Sequence, residues 1–157
     1  MSSISPQRVL IVGYGAVFHI GAHFLEAAHQ LGLHAELFDA NAAYEAHNFV
    51  KRINWRLRGH RPTYLDTFSL RLLEHCSTYQ PQCVVVTGIT PPNGQALAAL
   101  HGAGIQCVNY LTDDPWNPNH RSPWFLDALS QYVHVFSPRQ SNLNDLTQLG
   151  CSASYLP

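Results

Sequence analysis

The chain has 157 residues, of which 46% are hydrophobic and 12% charged, and its formal net charge is −1 at pH 7. This length suits one domain with its own core, and the near-neutral charge excludes a general electrostatic attraction to nucleic acid. No apolar run approaches the roughly 18 residues of a membrane span, and the opening MSSISPQR lacks the apolar segment of a secretory signal, so we predict a cytoplasmic protein.

Short β-branched runs alternate with helical patterns along the chain. The apolar run Val9–Val12 predicts a parallel strand buried on both faces. A helical pattern follows the Gly13-Tyr14-Gly15 turn to about Leu31, and Gly32 marks its end. Further strands are predicted over 33–38, 83–87, 105–111, 132–136 and 153–156. The alternation predicts a Rossmann-like, doubly wound α/β domain with a mainly parallel sheet and helices on both faces.

Three local patterns predict where helices begin. Thr63-x-x-Asp66 has the spacing of a capping box. Asn93 fits the N-cap of a helix that starts at Gly94. The segment Ser137-Pro138-Arg139-Gln140 predicts another helix start, with Ser137 as N-cap. Residues 40–62 leave two possibilities open, a helix through Val50, Ile53 and Leu57 or a short extra strand.

Cysteine and histidine usage predicts no metal and no cofactor. The four cysteines (Cys76, Cys83, Cys107 and Cys151) include no C-x-x-C pair and fall in or beside predicted core elements, which indicates buried free thiols. The ten histidines are scattered, and none shows the spacing of a metal-ligand motif.

In open parallel sheets, ligands bind beyond the carboxyl ends of the strands, where the strand order reverses. The loops 13–21, 87–93 and 111–121 should therefore border a common site. The first is rich in glycine and leads into a helix, as an anion or polar-ligand site does, although a tight turn that packs helix on sheet explains the glycines equally well. It is a poor dinucleotide fingerprint because Phe18 stands where the third glycine belongs, but Asp39 after the second strand keeps NAD(P) binding open as an alternative.

Ionisable side chains in two of these loops are candidates for acid–base chemistry. His19 could remove a proton from a hydroxyl, with a solvent-facing histidine as the simpler interpretation. Asp113 and Asp114 follow a strand directly, and because Pro115 favours an extended Asp114, we expect the two carboxylates to point apart. One would then accept hydrogen bonds or act as a base, and the other would cap a helix or pair with Arg121. A purely structural turn is the alternative.

Two further features could contact a ligand. Trp116 and Trp124 offer flat faces on which a sugar ring can stack, and Gly88 permits close approach of the backbone. Five of the nine Lys and Arg residues lie between positions 51 and 61 (Lys51, Arg52, Arg56, Arg58 and Arg61). This basic run predicts a solvated helix face or, alternatively, a peripheral contact with an anionic membrane surface or a phosphorylated ligand.

Several segments together resemble a known family. The opening from Arg8 to Gly15, the stretch Val108-Asn-Tyr-Leu-Thr-Asp-Asp-Pro-Trp-Asn, the segment Val135-Phe-Ser-Pro-Arg-Gln-Ser-Asn-Leu, and Leu149-Gly-Cys with Tyr155-Leu-Pro resemble CgeB-like, group 1-type glycosyltransferases. The similarity runs over nearly the whole chain, and the Asp-Asp-Pro-Trp-Asn and Phe-Ser-Pro-Arg segments are its most specific parts.

The resemblance implies a GT-B enzyme with two Rossmann-like domains, metal-independent transfer, and an amino-terminal domain that holds the hydroxylated acceptor, a glycan, lipid or protein. Residues 1–157 would be that domain, and a carboxyl-terminal domain absent from this chain would bind the nucleotide-sugar donor, so the chain alone is expected to be inactive. The catalytic candidates are His19, Asp113 and Asp114. The acceptor-binding candidates are Gly13, Tyr14, Gly15, Gly88, Trp116, Asn117 and Arg121. The alternatives are a stand-alone glycan- or partner-binding module and an NAD(P)-binding protein.

Overall fold

The computed structural model describes residues 7–157. The prediction that the chain opens without a secretory signal concerns mainly residues 1–6, which lie outside the described residues. The strands are β1 (Arg8–Gly13), β2 (His34–Asp39), β3 (Cys83–Thr87), β4 (Gln106–Tyr110), β5 (His134–Ser137) and β6 (Ala153–Tyr155). The helices are α1 (Ile20–Gln30), α2 (Asn48–Leu57), α3 (Leu65–Tyr79), α4 (Gly94–Gly102), α5 (Pro123–Leu129) and α6 (Asn142–Gln148), with a 3-10 helix at Ala40–Ala43.

The six strands form one sheet in the order β2-β1-β3-β4-β5-β6, and every neighbouring pair is parallel. Helix α1 packs against β1 and β2, whereas α3, α4 and α5 pack side by side. Right-handed crossovers that leave β1 in opposite directions place these two groups of helices on opposite faces. The predicted Rossmann-like, doubly wound fold is therefore confirmed, and the strand order reverses between β1 and β3.

The core lies between the sheet and the α3–α5 layer. Leu10 and Val12 of β1 and Val84 and Val86 of β3 alternate towards it and are fully buried. Facing them are fully buried side chains from the helices: Leu72, Leu97, Phe125, Leu129 and Leu146. Burying each such side chain stabilises the fold by about 1.5–3 kcal/mol. This burial holds the central strands β1 and β3 against the helices.

Two predicted helix boundaries are confirmed. Gly32 follows α1 with a φ of 75°, a left-handed conformation that glycine adopts without strain at the end of a helix. Asn93 is the N-cap of α4, and its side chain accepts a hydrogen bond of 3.0 Å from the backbone N–H of Ala96.

Two other predicted helix starts are wrong. Ser137 ends β5 and its hydroxyl accepts a hydrogen bond from the N–H of Arg139; this turn delays α6, whose N-cap is Ser141. The Thr63/Asp66 pair forms no capping box, because Thr63 accepts a hydrogen bond from Asn54 and Asp66 pairs with Arg61. Each of the two side chains therefore bonds to a residue that precedes the helix instead of to the backbone at the helix start.

Residues 40–62 contain the 3-10 helix and α2, so the helical possibility is the correct one. The residue that α2 buries is Asn54, whose side chain donates to Thr63 over 2.9 Å. Val50, Ile53 and Leu57 are exposed instead. Helix α2 is therefore mostly exposed, and these apolar side chains are not part of the core.

Within residues 7–157, no helix combines the length and the apolar character that crossing a bilayer requires.

Candidate functional site

A cleft of about 460 Å³ opens at the carboxyl ends of β1, β3 and β4. The three loops that follow these strands form its floor, and α2 with the turn after it forms one wall. Side chains from these four regions, from the end of the 3-10 helix and from the start of α5 line the cleft: Tyr14, Phe18, His19, Tyr44, Trp55, His60, Thr87, Thr112, Asp113, His120 and Trp124. The reversal of strand order beside β1 creates this space, because the loops after β1 and β3 lead to helices on opposite faces.

Close backbone packing fixes the loop after β1. A Cβ on Gly13 would overlap the Thr87 hydroxyl, and a Cβ on Gly21 would lie 2.9 Å from the carbonyl oxygen of Tyr14. The two glycines therefore let α1 begin close to the sheet, with Tyr14 and His19 turned to the cleft. A Cβ on Gly15 would lie 2.8 Å from Leu37. Gly13 and Gly15 do not line the cleft, since both pack against neighbouring strands.

The Tyr14, His19 and Tyr44 side chains form an aromatic cluster in the cleft. The Tyr14 ring centroid lies 5.0 Å from that of His19 and 6.3 Å from that of Tyr44. Burial raises the pKa of Tyr14, and the Asp39 carboxylate acts in the same direction, while the neighbouring Tyr44 hydroxyl opposes the shift. Burial likewise raises the pKa of Tyr44. Both phenols are protonated at neutral pH and can donate hydrogen bonds to a ligand.

The loop after β3 is fixed by a left-handed glycine. Gly88 has a φ of 70°, and a Cβ there would lie 2.8 Å from the Thr112 hydroxyl oxygen. Its N–H donates to the carbonyl of Tyr110, and its own carbonyl accepts from the buried Asn109 side chain. The ends of β3 and β4 are thereby joined, which sets the position of Thr112 and Asp113.

The adjacent Asp113 and Asp114 have different surroundings, in agreement with the prediction drawn from Pro115. Asp113 is exposed and lines the cleft, where its Oδ2 accepts a hydrogen bond of 3.1 Å from the Thr112 hydroxyl. Asp114 does not line the cleft, because its Oδ1 accepts a hydrogen bond from the N–H of Trp116 and closes a turn. Asp113 is therefore the carboxylate that can accept a ligand hydroxyl or act as a base.

Three other predicted contact residues also lie outside the cleft lining. Trp116 packs against the core. Asn117 accepts hydrogen bonds from the backbone N–H groups of Asn119, His120 and Arg121 and so stabilises the turn. Arg121 is exposed, and in the described part of the chain it forms no ion pair with either aspartate. Trp124 lies in the cleft, and its Nε1 donates to the carbonyl of His60.

Sequence reasoning missed the contribution of the segment after α2. Gly59 and His60 are both left-handed, with φ values of 58°, and a Cβ on Gly59 would lie 2.8 Å from Pro123. The His60 ring stacks on Trp55 with a centroid separation of 4.1 Å, and its buried Nδ1 has no hydrogen-bond partner. Non-glycine residues rarely adopt this backbone conformation, which costs about 1–3 kcal/mol and is concentrated at ligand sites.

Tyr44 and His120 were missed as well, since Tyr44 lies outside the three predicted site loops and, within the loop 111–121, Asn117 and Arg121 were selected instead of His120. Tyr44 follows the 3-10 helix, and His120 ends the turn that Asn117 organises. The sequence signal available for both was weak, namely aromatic or imidazole side chains in loops that border a predicted site.

The residues that the alternative dinucleotide site would use have other positions in the structure. Asp39 accepts a hydrogen bond of 3.0 Å from the N–H of Asn41 and caps the 3-10 helix. It does not line the cleft, and neither does Gly15. Among residues 7–157, no three His, Cys, Asp or Glu side chains lie together as ligands of a metal ion would.

Comparisons with known proteins provide little further information. No protein-family model and no curated protein matches this chain. Among solved structures, the chain is similar to the UDP-glucose 4-epimerase of Thermus thermophilus in complex with NAD, with 14% sequence identity and a TM-score of 0.42. The match covers 85% of this chain and 67% of that chain. A similarity of this degree carries no conclusion about ligand or activity, so the function is inferred from the cleft.

Proposed function

We propose that this domain binds the hydroxylated acceptor of a glycosyltransferase of the GT-B type, in which a second domain binds the nucleotide-sugar donor. The observation that carries the proposal is the composition of the cleft. Aromatic side chains of Tyr14, Tyr44, Trp55 and Trp124 line the cleft together with one exposed carboxylate, Asp113. Aromatic rings that stack on a sugar, combined with a few polar groups that fix its hydroxyls, are typical of a carbohydrate site.

The proposed mechanism places an acceptor hydroxyl between His19 and Asp113. One of these side chains accepts the proton of the hydroxyl as the oxygen attacks the anomeric carbon of the donor sugar. The neutral Tyr14 and Tyr44 phenols donate hydrogen bonds to the other hydroxyls of the acceptor. The donor-binding domain supplies the groups that stabilise the departing diphosphate. The resemblance of the Asp-Asp-Pro-Trp-Asn and Phe-Ser-Pro-Arg segments to CgeB-like enzymes supports the same assignment.

The neighbouring aspartates provide a matched test of this proposal. A panel of mono- and oligosaccharides is titrated against the 157-residue chain by ligand-observed NMR and calorimetry. We expect Asp113→Asn to weaken binding of the best ligand by about tenfold, since a hydrogen bond to a charged group is lost. Asp114→Asn should leave the affinity unchanged, because asparagine can still close the turn with Trp116.

The same titration, repeated with NADH, NADPH and UDP-sugars, separates the competing functions. Saturable nicotinamide binding that Asp39→Ala abolishes, together with no saccharide binding, would show that the chain is a dinucleotide-binding protein. Equal losses of saccharide affinity in Asp113→Asn and Asp114→Asn would mean that the cleft is not the binding site.

A further inference from the structure

A second cavity, which we call the basic pocket, adjoins the cleft. It has a volume of about 530 Å³ and lies between α2 and the turn at 61–63. Its walls are formed by Tyr44, Lys51, Arg52, Trp55, Arg56, Arg61, Pro62 and Thr63. Tyr44 and Trp55 also line the cleft, so the two cavities adjoin at these two side chains.

The charge of the basic pocket is concentrated and mostly uncompensated. Four of the nine Lys and Arg residues of the chain line it, and no carboxylate does. Arg61 forms an ion pair with Asp66, with N···O distances of 2.8 Å to both carboxylate oxygens. Within residues 7–157, the other three cations (Lys51, Arg52 and Arg56) have no acidic partner within ion-pair distance.

The sequence of α2 brings two like charges close together on the helix surface. Arg52 and Arg56 are four residues apart on the helix, and like charges at this spacing destabilise a helix. The helix contains no acidic residue that could offset the repulsion. A bound anion would remove it, and two guanidinium groups can each donate paired hydrogen bonds to phosphate oxygens.

The shape of the basic pocket indicates more than a bare anion. Its volume lies in the range of sites for small organic molecules, roughly 300–1,000 Å³. Trp55 and Tyr44 provide flat surfaces between the cations and the cleft. A ligand with a phosphate in the basic pocket can therefore place a neighbouring ring on these aromatic faces and a hydroxyl near Asp113.

We infer that the acceptor carries a phosphate group, bound by Arg52 and Arg56 in the basic pocket while the acceptor hydroxyl lies in the cleft. This inference rests on the proposed function and specifies its substrate class. The phosphate belongs either to a soluble sugar phosphate or to a lipid-linked compound, and both sources present the same oxygens to the two arginines.

The experiment measures binding to the 157-residue chain of glucose 6-phosphate, glucose, inorganic phosphate, and vesicles of phosphatidylcholine with or without phosphatidic acid. The test variant is Arg52→Gln/Arg56→Gln. The matched control is Arg58→Gln, because Arg58 belongs to the same basic run but does not line the basic pocket. All substituted side chains are exposed, and circular dichroism verifies that each variant folds.

We expect glucose 6-phosphate or vesicles with phosphatidic acid, which carry an anionic phosphomonoester, to bind at least about tenfold more tightly than glucose or vesicles of phosphatidylcholine alone, and the double variant to lose that gain. Arg58→Gln should retain it. Preference for glucose 6-phosphate identifies a soluble source, and preference for vesicles with phosphatidic acid identifies a lipid-linked one. Equal binding of the probes with and without a phosphomonoester, or equal losses in the double variant and Arg58→Gln, would overturn the inference.

The two experiments distinguish failure of the phosphate inference from failure of the proposed function. If Asp113→Asn weakens saccharide binding while the arginine variant has no effect on any probe, the acceptor site stands and the phosphate inference is wrong. If the arginine variant alone affects binding, the basic pocket binds phosphate and the assignment of the cleft to an acceptor hydroxyl is wrong.

Discussion

The floor and the α2 wall of the cleft are held in place by different kinds of interaction. The floor follows β1, β3 and β4, which are paired in the centre of the sheet and backed by fully buried side chains such as Leu111. Helix α2 buries only Asn54. Its attachment consists of the Asn54–Thr63 hydrogen bond, the contact of Gly59 with Pro123, and the hydrogen bond from Trp124 to His60.

This difference shows how the domain combines precision with adaptability. Regions with few buried apolar contacts open locally at a much lower free-energy cost than the core of a protein. Asp113, Tyr14 and His19 are therefore placed by the most stable part of the fold. Trp55 and the basic pocket belong to a wall that can adjust to a ligand without disturbing the floor.

The largest expected effect comes from truncating one leucine on each side of the cleft. Leu111→Ala at the end of β4 should lower the free energy of unfolding by about 2–5 kcal/mol, because the side chain is fully buried. Leu57→Ala on α2 should change it by less than about 0.5 kcal/mol, since that side chain is 79% exposed. Urea unfolding measures both values. Similar losses would show that α2 is part of the cooperative core.

A smaller effect is expected from adding a methyl group to the floor. Gly88→Ala should destabilise the chain by about 1–3 kcal/mol, because it combines a left-handed backbone with a close contact to Thr112. The control is Gly102→Ala in α4, where a Cβ meets no atom within 4 Å. That substitution should be neutral or stabilise by up to about 1 kcal/mol. A neutral Gly88→Ala variant would mean that the turn after β3 does not fix Thr112.

The smallest expected changes in stability come from replacing Asn93, at the start of α4, and Asn54, in α2. Asn93→Ala removes the N-cap of α4 and should cost about 1 kcal/mol of global stability, measured by urea unfolding. Asn54→Ala removes a hydrogen bond that only attaches α2. It should shift global stability by less than about 0.5 kcal/mol while trypsin cleaves α2 at Lys51, Arg52 and Arg56 several times faster. Unchanged proteolysis would contradict the weak attachment of this wall.

The floor was largely predictable because its signals are local or follow from the fold. Apolar runs predicted the strands, and the parallel order brings their carboxyl ends to one edge, which is how Tyr14, His19, Gly88 and Asp113 come to share a cleft. The expectation that Asp113 and Asp114 point apart also required only the restriction that Pro115 imposes on its neighbour.

The wall and two caps were not predictable because the side chains concerned bond to partners that no helix-start pattern includes. Thr63 has the spacing of a cap, but Asn54 occupies its hydroxyl. The sequence left a helix or a strand open for this segment, and its pattern did not indicate that α2 buries the polar Asn54 and exposes Val50 and Ile53. The backbone of His60 has a left-handed conformation that no local sequence pattern predicts.

The strand order has a consequence for how the domain assembles. Pairing of β1 with β3 aligns Val9 with Cys83, and the chain between them contains β2, which pairs with the other edge of β1, together with α2 and α3. Contacts of such long sequence separation form slowly, since the loop must close before any pairing stabilises it. The binding surface therefore arises only when these distant segments have docked, and an isolated amino-terminal segment that stops before β4 would lack the Asp113 side of the cleft.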